Sequence, residues 1–187
     1  MAQQSRERVL DSALRLFGQR GFGGTSLQAI ADDVGMTKAS VYHHFRAKAD
    51  LLEVLAQPFL DRLETLLARP ADSSGPARCR ILLEGYLDAL VEARVLATLL
   101  IGDPTASGHP ASARYRLQRS RLRHLLARCG SRPADAVQVA CCLGAIHSAV
   151  IDFSDIQPAE NRTAVVDAAM AALGLSPPQR VRTRTRS

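Results

Sequence analysis

Apolar side chains recur at three- and four-residue spacing through nearly every segment of this chain, and no run alternates convincingly with period two. A helix buries one stripe of side chains every 3.6 residues, whereas a strand buries every second one, so the pattern confines the fold to the all-α class. About nine helices are predicted. Val9, Ala13, Leu14 and Phe17 mark a first helix that stops near Gly21, and Gly21, Gly23 and Gly24 form a turn. Short helices follow over about 26–34 and 38–44, and a fourth begins near Ala47 and is kinked or ended at Pro58, whose ring removes a backbone donor. Later helices are expected over about 77–93, up to 101, 112–129, 134–153 and 160–173, with loops at 70–76, 102–111 and 130–133. There is no internal repeat.

The most informative local signal lies between residues 25 and 45. Thr25 is placed to cap the second helix, with Gln28 reaching back in a capping box. Leu27, Ile30, Ala31 and Val34 then share one apolar face, Gly35 supplies a left-handed stop, and Thr37 caps the next helix. Two short helices joined by a tight glycine-containing turn describe a helix-turn-helix. On the third helix Val41 and Phe45 point to the core, and Ala39, Ser40 and His43 to the opposite side, with Lys38, Tyr42 and His44 at the flanks. Ser40 and His43 can hydrogen-bond base edges and Ala39 can touch a thymine methyl, so these three are the expected base readers. Thr25, Thr37, Lys38, Tyr42 and Lys48 are expected at phosphates. The two threonines sit at helix N-termini, where free N–H groups and the helix dipole favour an anion. Tyr42 has packing as its alternative role, and His44 reads as structural.

In this stretch (TSLQAIADDVGMTKASVYHHFRAKADLL, residues 25–52) the chain resembles the DNA-binding domain of the TetR family of regulators. The resemblance rests on Ala29-Ile30-Ala31, Gly35, Thr37, Val41-Tyr42, His44-Phe45, Lys48 and Asp50-Leu51-Leu52, with Phe17 and Gly21-Phe22 before them. The chain departs at Ala39, where the family often has Gly, and at Ala49, where Glu is common. The resemblance implies that the third helix reads operator DNA while Tyr42 and Lys48 grip the backbone. It implies three regions: a DNA-binding domain (1–46), a helical effector-binding and dimerisation domain (47–175) and a basic tail (176–187).

The remainder is less explicit. Small residues at four-residue spacing (Ala136, Ala140, Gly144 and Ser148, then Ala164, Ala168 and Ala172) let helices approach closely, and the resemblance points to a dimer through these two helices. Packing within the protomer is the alternative. It further implies a small-molecule pocket within about 77–153, for which Tyr86, Thr98, His124, Cys142 and His147 are the available polar or soft groups, none marked by a constellation. The helix over 134–153 is apolar nearly all round, which suits burial on two sides. Cys141 and Cys142 diverge by about 100° on a helix and have no His at ligand spacing, so neither a metal nor a cofactor is expected.

The formal net charge is +6, and it resides at the ends: seven Lys or Arg against five acids in residues 1–50, and four unopposed Arg from Arg180 onward. Basic ends fit a polyanionic partner, and the Pro-opened, Arg-rich tail reads as disordered. The absence of an apolar leader or a charge-free span predicts a cytoplasmic protein. No nucleophile–base pair, carboxylate pair or phosphate loop argues for an enzyme. The leading expectation is a ligand-responsive repressor on a pseudo-palindromic operator. The alternative is a dimeric DNA-binding protein without a small-molecule effector, switched by a protein partner or acting architecturally.

Overall fold

A computed structural model describes residues 2–69, 75–130, 132–152 and 160–175. Among the described residues there are nine α-helices and no strand. They are α1 (Ala2–Arg20), α2 (Leu27–Val34), α3 (Lys38–His44), α4 (Lys48–Ala68), α5 (Gly75–Glu92), α6 (Arg94–Gly102), α7 (Pro110–Ala127), α8 (Ala136–His147) and α9 (Arg162–Ala172). The all-α reading therefore holds. The basic tail, most of the loop predicted at 70–76 and the end of the helix predicted over 134–153 lie outside the described residues.

The chain divides into two compact units, Met1–Arg69 with Asp88–Arg121, and Pro70–Leu87 with Leu122–Ser187. In the first, α1 packs against α2, α4 and α6, and α2 against α3. Val9, Ala13, Leu16 and Phe17 of α1 meet Leu27, Ile30, Ala31 and Val34 of α2, all buried as the spacing requires. In the second unit, α8 packs along α9 through Val139, Cys142, Leu143 and Ile146 on one side and Val166, Ala169 and Met170 on the other.

Several expectations are corrected. Pro58 neither ends nor divides α4, which runs through it. The lost backbone bond is outweighed because Leu51, Leu52 and Ala56 before the proline, and Phe59, Leu60 and Leu63 after it, are all buried along one face. Ser26, not Thr25, caps α2: its hydroxyl accepts from the Ala29 N–H at 3.1 Å, while Gln28 donates to Asp32 instead of reaching back. The 102–111 loop contains a 3-10 turn at Pro104–Ala106, and α7 starts earlier, at Pro110. α8 is shorter than predicted and passes into a π turn, Ser148–Asp152. It is not buried all round either: Ala136, Val137, Ala140 and Cys141 are exposed, Val137 at 69%. No helix among the described residues is long and apolar enough to cross a membrane.

Candidate DNA-binding surface

The surface is built from the turn between α2 and α3 outward. Gly35 ends α2 at φ 68°, in the left-handed region an L side chain resists, and the Met36 N–H turns back to the Ala31 carbonyl at 3.0 Å. From α1, Arg8 donates to the last α2 carbonyl, Val34 O, at 2.6 Å. Ser12 and Arg15 both bind the Asp33 carboxylate, and these two hydrogen bonds hold its pKa below the usual carboxylate value.

Thr37 opens α3 as expected, accepting from the Ser40 N–H at 3.1 Å. Val41 and Phe45 are buried and root the helix, and Arg6 of α1 lies 5.1 Å over the Phe45 ring. The opposite face is left outside: Lys38, Ala39, Tyr42 and His43 are all exposed, Tyr42 at 44%, with the Lys38 ammonium 5.6 Å above the Tyr42 ring. Ser40 is only half-exposed, and its hydroxyl is tied to that of Thr37 at 2.8 Å. His44 is half-buried beside His43, their rings 5.7 Å apart.

Two residues expected at phosphates point elsewhere. Thr25 is buried, and its hydroxyl donates to the carbonyls of Gly21 (2.9 Å) and Leu16 (3.2 Å), because the chain entering α2 needs its α1-end carbonyls satisfied. Lys48 is turned inward as well. Its ammonium donates to Phe22 O and to Thr25 O (2.8 Å for the latter) and lies 4.3 Å over the Phe22 ring. Burial lowers its pKa, partly opposed by the Asp103 carboxylate. Both residues hold the α1–α2 turn in shape.

Asp103, which sequence reasoning did not assign to this region, grips the same turn from the loop after α6, and His109 of that loop meets the Phe22 ring edge-on at 6.3 Å and bonds the start of α4. The Asp103 carboxylate accepts the Phe22 N–H at 2.8 Å and both the N–H (2.8 Å) and hydroxyl of Thr105. Desolvation pushes the Asp103 pKa up, but the donors from Thr105, Phe22 and Ala106 together bring it below the usual value. His109 accepts the Ala111 N–H at Nδ1 (3.1 Å), which leaves Nε2 as the donor to Ala49 O (3.0 Å) at the start of α4. Asp103-Pro104-Thr105 has the composition of an Asx turn, and that signal could have located the grip.

The expected pocket residues are dispersed. Tyr86 is buried, its hydroxyl 2.6 Å from His147 Nε2, and Cys142 is buried near Cys129, whereas Thr98 and His124 are exposed. In the first unit, Phe59 stacks on Tyr115 with ring centroids 5.8 Å apart. A cleft of about 550 Å³ is lined instead by Leu14, Pro58, Phe59, Ala89, Arg94 and Val95, among others. Thr98 borders a second, of about 450 Å³. Among the described residues no group of three His, Cys, Asp or Glu side chains is placed to hold a metal.

On the α8–α9 pair, Ala136, Ala140, Ala164 and Ala168 are exposed and Gly144, Ser148 and Ala172 half-exposed. A Cβ at Gly144 would meet nothing within 4 Å.

Helices α1–α3 thus form a helix-turn-helix unit with a rooted third helix and a bare outer face. Residues 9–55 match the family model for bacterial regulatory proteins of the tetR family. The HTH-type transcriptional regulator AcrR of Shigella flexneri is 50% identical over 50 residues, 27% of this chain and 23% of that protein. The chain spans less than half the length of the curated relatives it matches. Over the whole fold, a TetR-family regulator from Streptomyces coelicolor A3 superposes with a TM-score of 0.72 at 26% identity, covering 91% of each chain. AibR, solved in complex with isovaleryl coenzyme A and operator DNA, gives 0.65 at 25% identity, covering 91% of this chain and 97% of its own. Residues 9–55 therefore resemble the DNA-binding domain of the TetR family, and the fold as a whole is similar to that of TetR-family regulators.

Proposed function

We propose that the chain is a homodimeric repressor that binds a pseudo-palindromic operator and is released by a small molecule. Residues 1–46 act as its DNA-binding domain and 47–175 as its effector and dimerisation domain. The observation that carries the reading is α3: Val41 and Phe45 anchor it, and Lys38, Ala39, Tyr42 and His43 form an exposed face free to enter a major groove. Ala39 and His43 remain the base readers, joined by Ser40 once its bond to Thr37 is exchanged. Lys38 and Tyr42 take phosphates, and the Thr37 end of α3 supplies backbone N–H groups to another. The exposed small residues around Gly144 and Ala168 support dimerisation through α8 and α9, which would pair two recognition helices on one site. Ligand response is supported by the 550 Å³ cleft, and by the acyl coenzyme A bound to AibR.

A second reading, a dimer switched without a small molecule, is favoured by contacts among the aromatic residues of the effector region. Phe59 stacks on Tyr115, and Tyr86 closes on His147. Selection of bound genomic fragments would define the operator, and fluorescence anisotropy would measure the affinity. Tyr42→Ala with Lys38→Ala should weaken binding about a hundredfold and flatten its salt dependence while leaving the fold intact. Unchanged affinity would remove α3 from the interface.

A further inference from the structure

The cleft of about 550 Å³ lies wholly within the first unit, between α1, α4, the end of α5 and the start of α6. That size is within the range of roughly 300–1,000 Å³ for small-molecule sites. Its walls are apolar: Leu14 from α1, Leu55, Pro58 and Phe59 from α4, Ala89 from α5, and Val95 with Leu96 from α6. Three charged side chains border it, Arg62, Glu92 and Arg94. Arg62 and Glu92 neutralise each other in an ion pair. Arg94 is half-buried and has no carboxylate partner among the described residues.

This asymmetry selects a ligand. A guanidinium next to apolar walls attracts one negative charge, and carboxylate suits its planar fork. With Arg62 and Glu92 neutralised, Arg94 leaves a single uncompensated charge at the cleft, which matches one carboxylate and not two. We infer that this cleft binds a hydrocarbon monocarboxylate, with the carboxylate on Arg94 and the chain along Leu14, Pro58 and Val95. The inference rests on the reading of the chain as a ligand-responsive regulator, and it places the effector outside the residues expected from the sequence.

The position also supplies a route to the DNA-binding surface. Val95 presses on α1 at Gly18, where an added Cβ would lie 3.3 Å from both of its methyl carbons. The chain leaving the other end of α6 carries Asp103, which holds the Phe22 N–H of the α1–α2 turn. A molecule wedged between Leu14 and Val95 spreads α1 from α6, and the displacement reaches Phe22 through one short helix. The ligand then discriminates between two arrangements of that contact, as a switch requires.

The test uses the full chain with dodecanoate and its uncharged counterpart 1-dodecanol, measured by calorimetry in the absence of DNA. One dodecanoate per protomer should bind saturably and more tightly than dodecanol. Arg94→Gln should weaken dodecanoate about tenfold and leave dodecanol unchanged. Ala93→Trp, which fills the cleft from a half-buried position, should abolish both while circular dichroism stays native. Absence of saturable dodecanoate binding, equal affinity for the alcohol, or indifference to both substitutions would overturn the assignment. Operator anisotropy separates the two readings. Cleft binding as described with no release of DNA leaves the monocarboxylate site standing and sinks the ligand-released repressor. Normal operator binding by a protein that ignores dodecanoate sinks the site alone.

Discussion

The α1–α3 region and the α8–α9 pair are both compact helical packings, yet they are held by different chemistry. Around α1–α3, named polar groups meet named backbone atoms: Arg8 on Val34 O, Thr25 on Leu16 O and Gly21 O, Lys48 on Phe22 O and Thr25 O, and Asp103 on Phe22 N. Along α8–α9 the packing is aliphatic, and the ion pairs run from α5, Arg80 to Asp167 at 2.6 Å and Glu84 to Arg162 at 3.6 Å. Directional bonds fix one geometry, which a DNA-reading helix needs. Aliphatic contacts are tolerant of sliding and substitution, which suits the dimer face proposed there.

That contrast can be broken most sharply at Gly24. A Cβ there would fall inside contact distance of the Arg20 carbonyl oxygen, a backbone atom that cannot swing aside. Gly24→Val should therefore cost about 3 kcal/mol in denaturant unfolding and remove operator binding. A native unfolding midpoint would mean that the turn is as forgiving as α8–α9. The opposite behaviour is expected of Gly144→Arg, which the protomer can accommodate in open space. Its unfolding as a protomer should change little, while the dimer dissociation constant in sedimentation rises by about a hundredfold or more. A persistent dimer would place the interface elsewhere.

Smaller effects test the bonds one at a time. Asp103→Asn should cost about 1 kcal/mol at neutral pH, through the charge-assisted bonds to Phe22 and Thr105. Because the folded-state pKa of Asp103 is lowered, its contribution is present above the ordinary carboxylate value, about 4, and is lost as the pH falls further. The variant should accordingly show a shallower loss of stability on acidification, and an unchanged acid limb would deny the aspartate its grip. Asp167→Asn, on a pair about one-third exposed, should cost only about 0.5 kcal/mol, and a loss several times larger would show directional bonding in the α8–α9 region too.

The two regions were also unequally legible in the sequence. The α2–α3 helices could be read residue by residue: Leu27, Ile30, Ala31 and Val34 on one face, Gly35 at the stop, Thr37 at the cap, and Val41 with Phe45 inward. Each of these depends on neighbours within one or two turns. Thr25 and Lys48 were read as outward-facing because polar groups at helix starts default to solvent. Their inward bonds depend on carbonyls that only the folded α1–α2 turn brings within reach. Asp103 and His109 were invisible for a related reason, since Phe22 and Ala49 lie about eighty and sixty residues away. The pocket was the least legible part. A cavity is the space that side chains leave, and no short motif records that Phe59 stacks on Tyr115 while also bordering the cleft with Arg94 and Val95.

The bond from Asp103 to Phe22 bears on how this protein can be cut and rejoined. A hybrid regulator made by grafting residues 1–46 onto a foreign effector domain would keep every residue of the recognition helix yet lose the clasp on its preceding turn. Such chimaeras should regain operator affinity when the 103–109 segment travels with the graft. The portable part of the DNA-binding surface is therefore discontinuous along the chain.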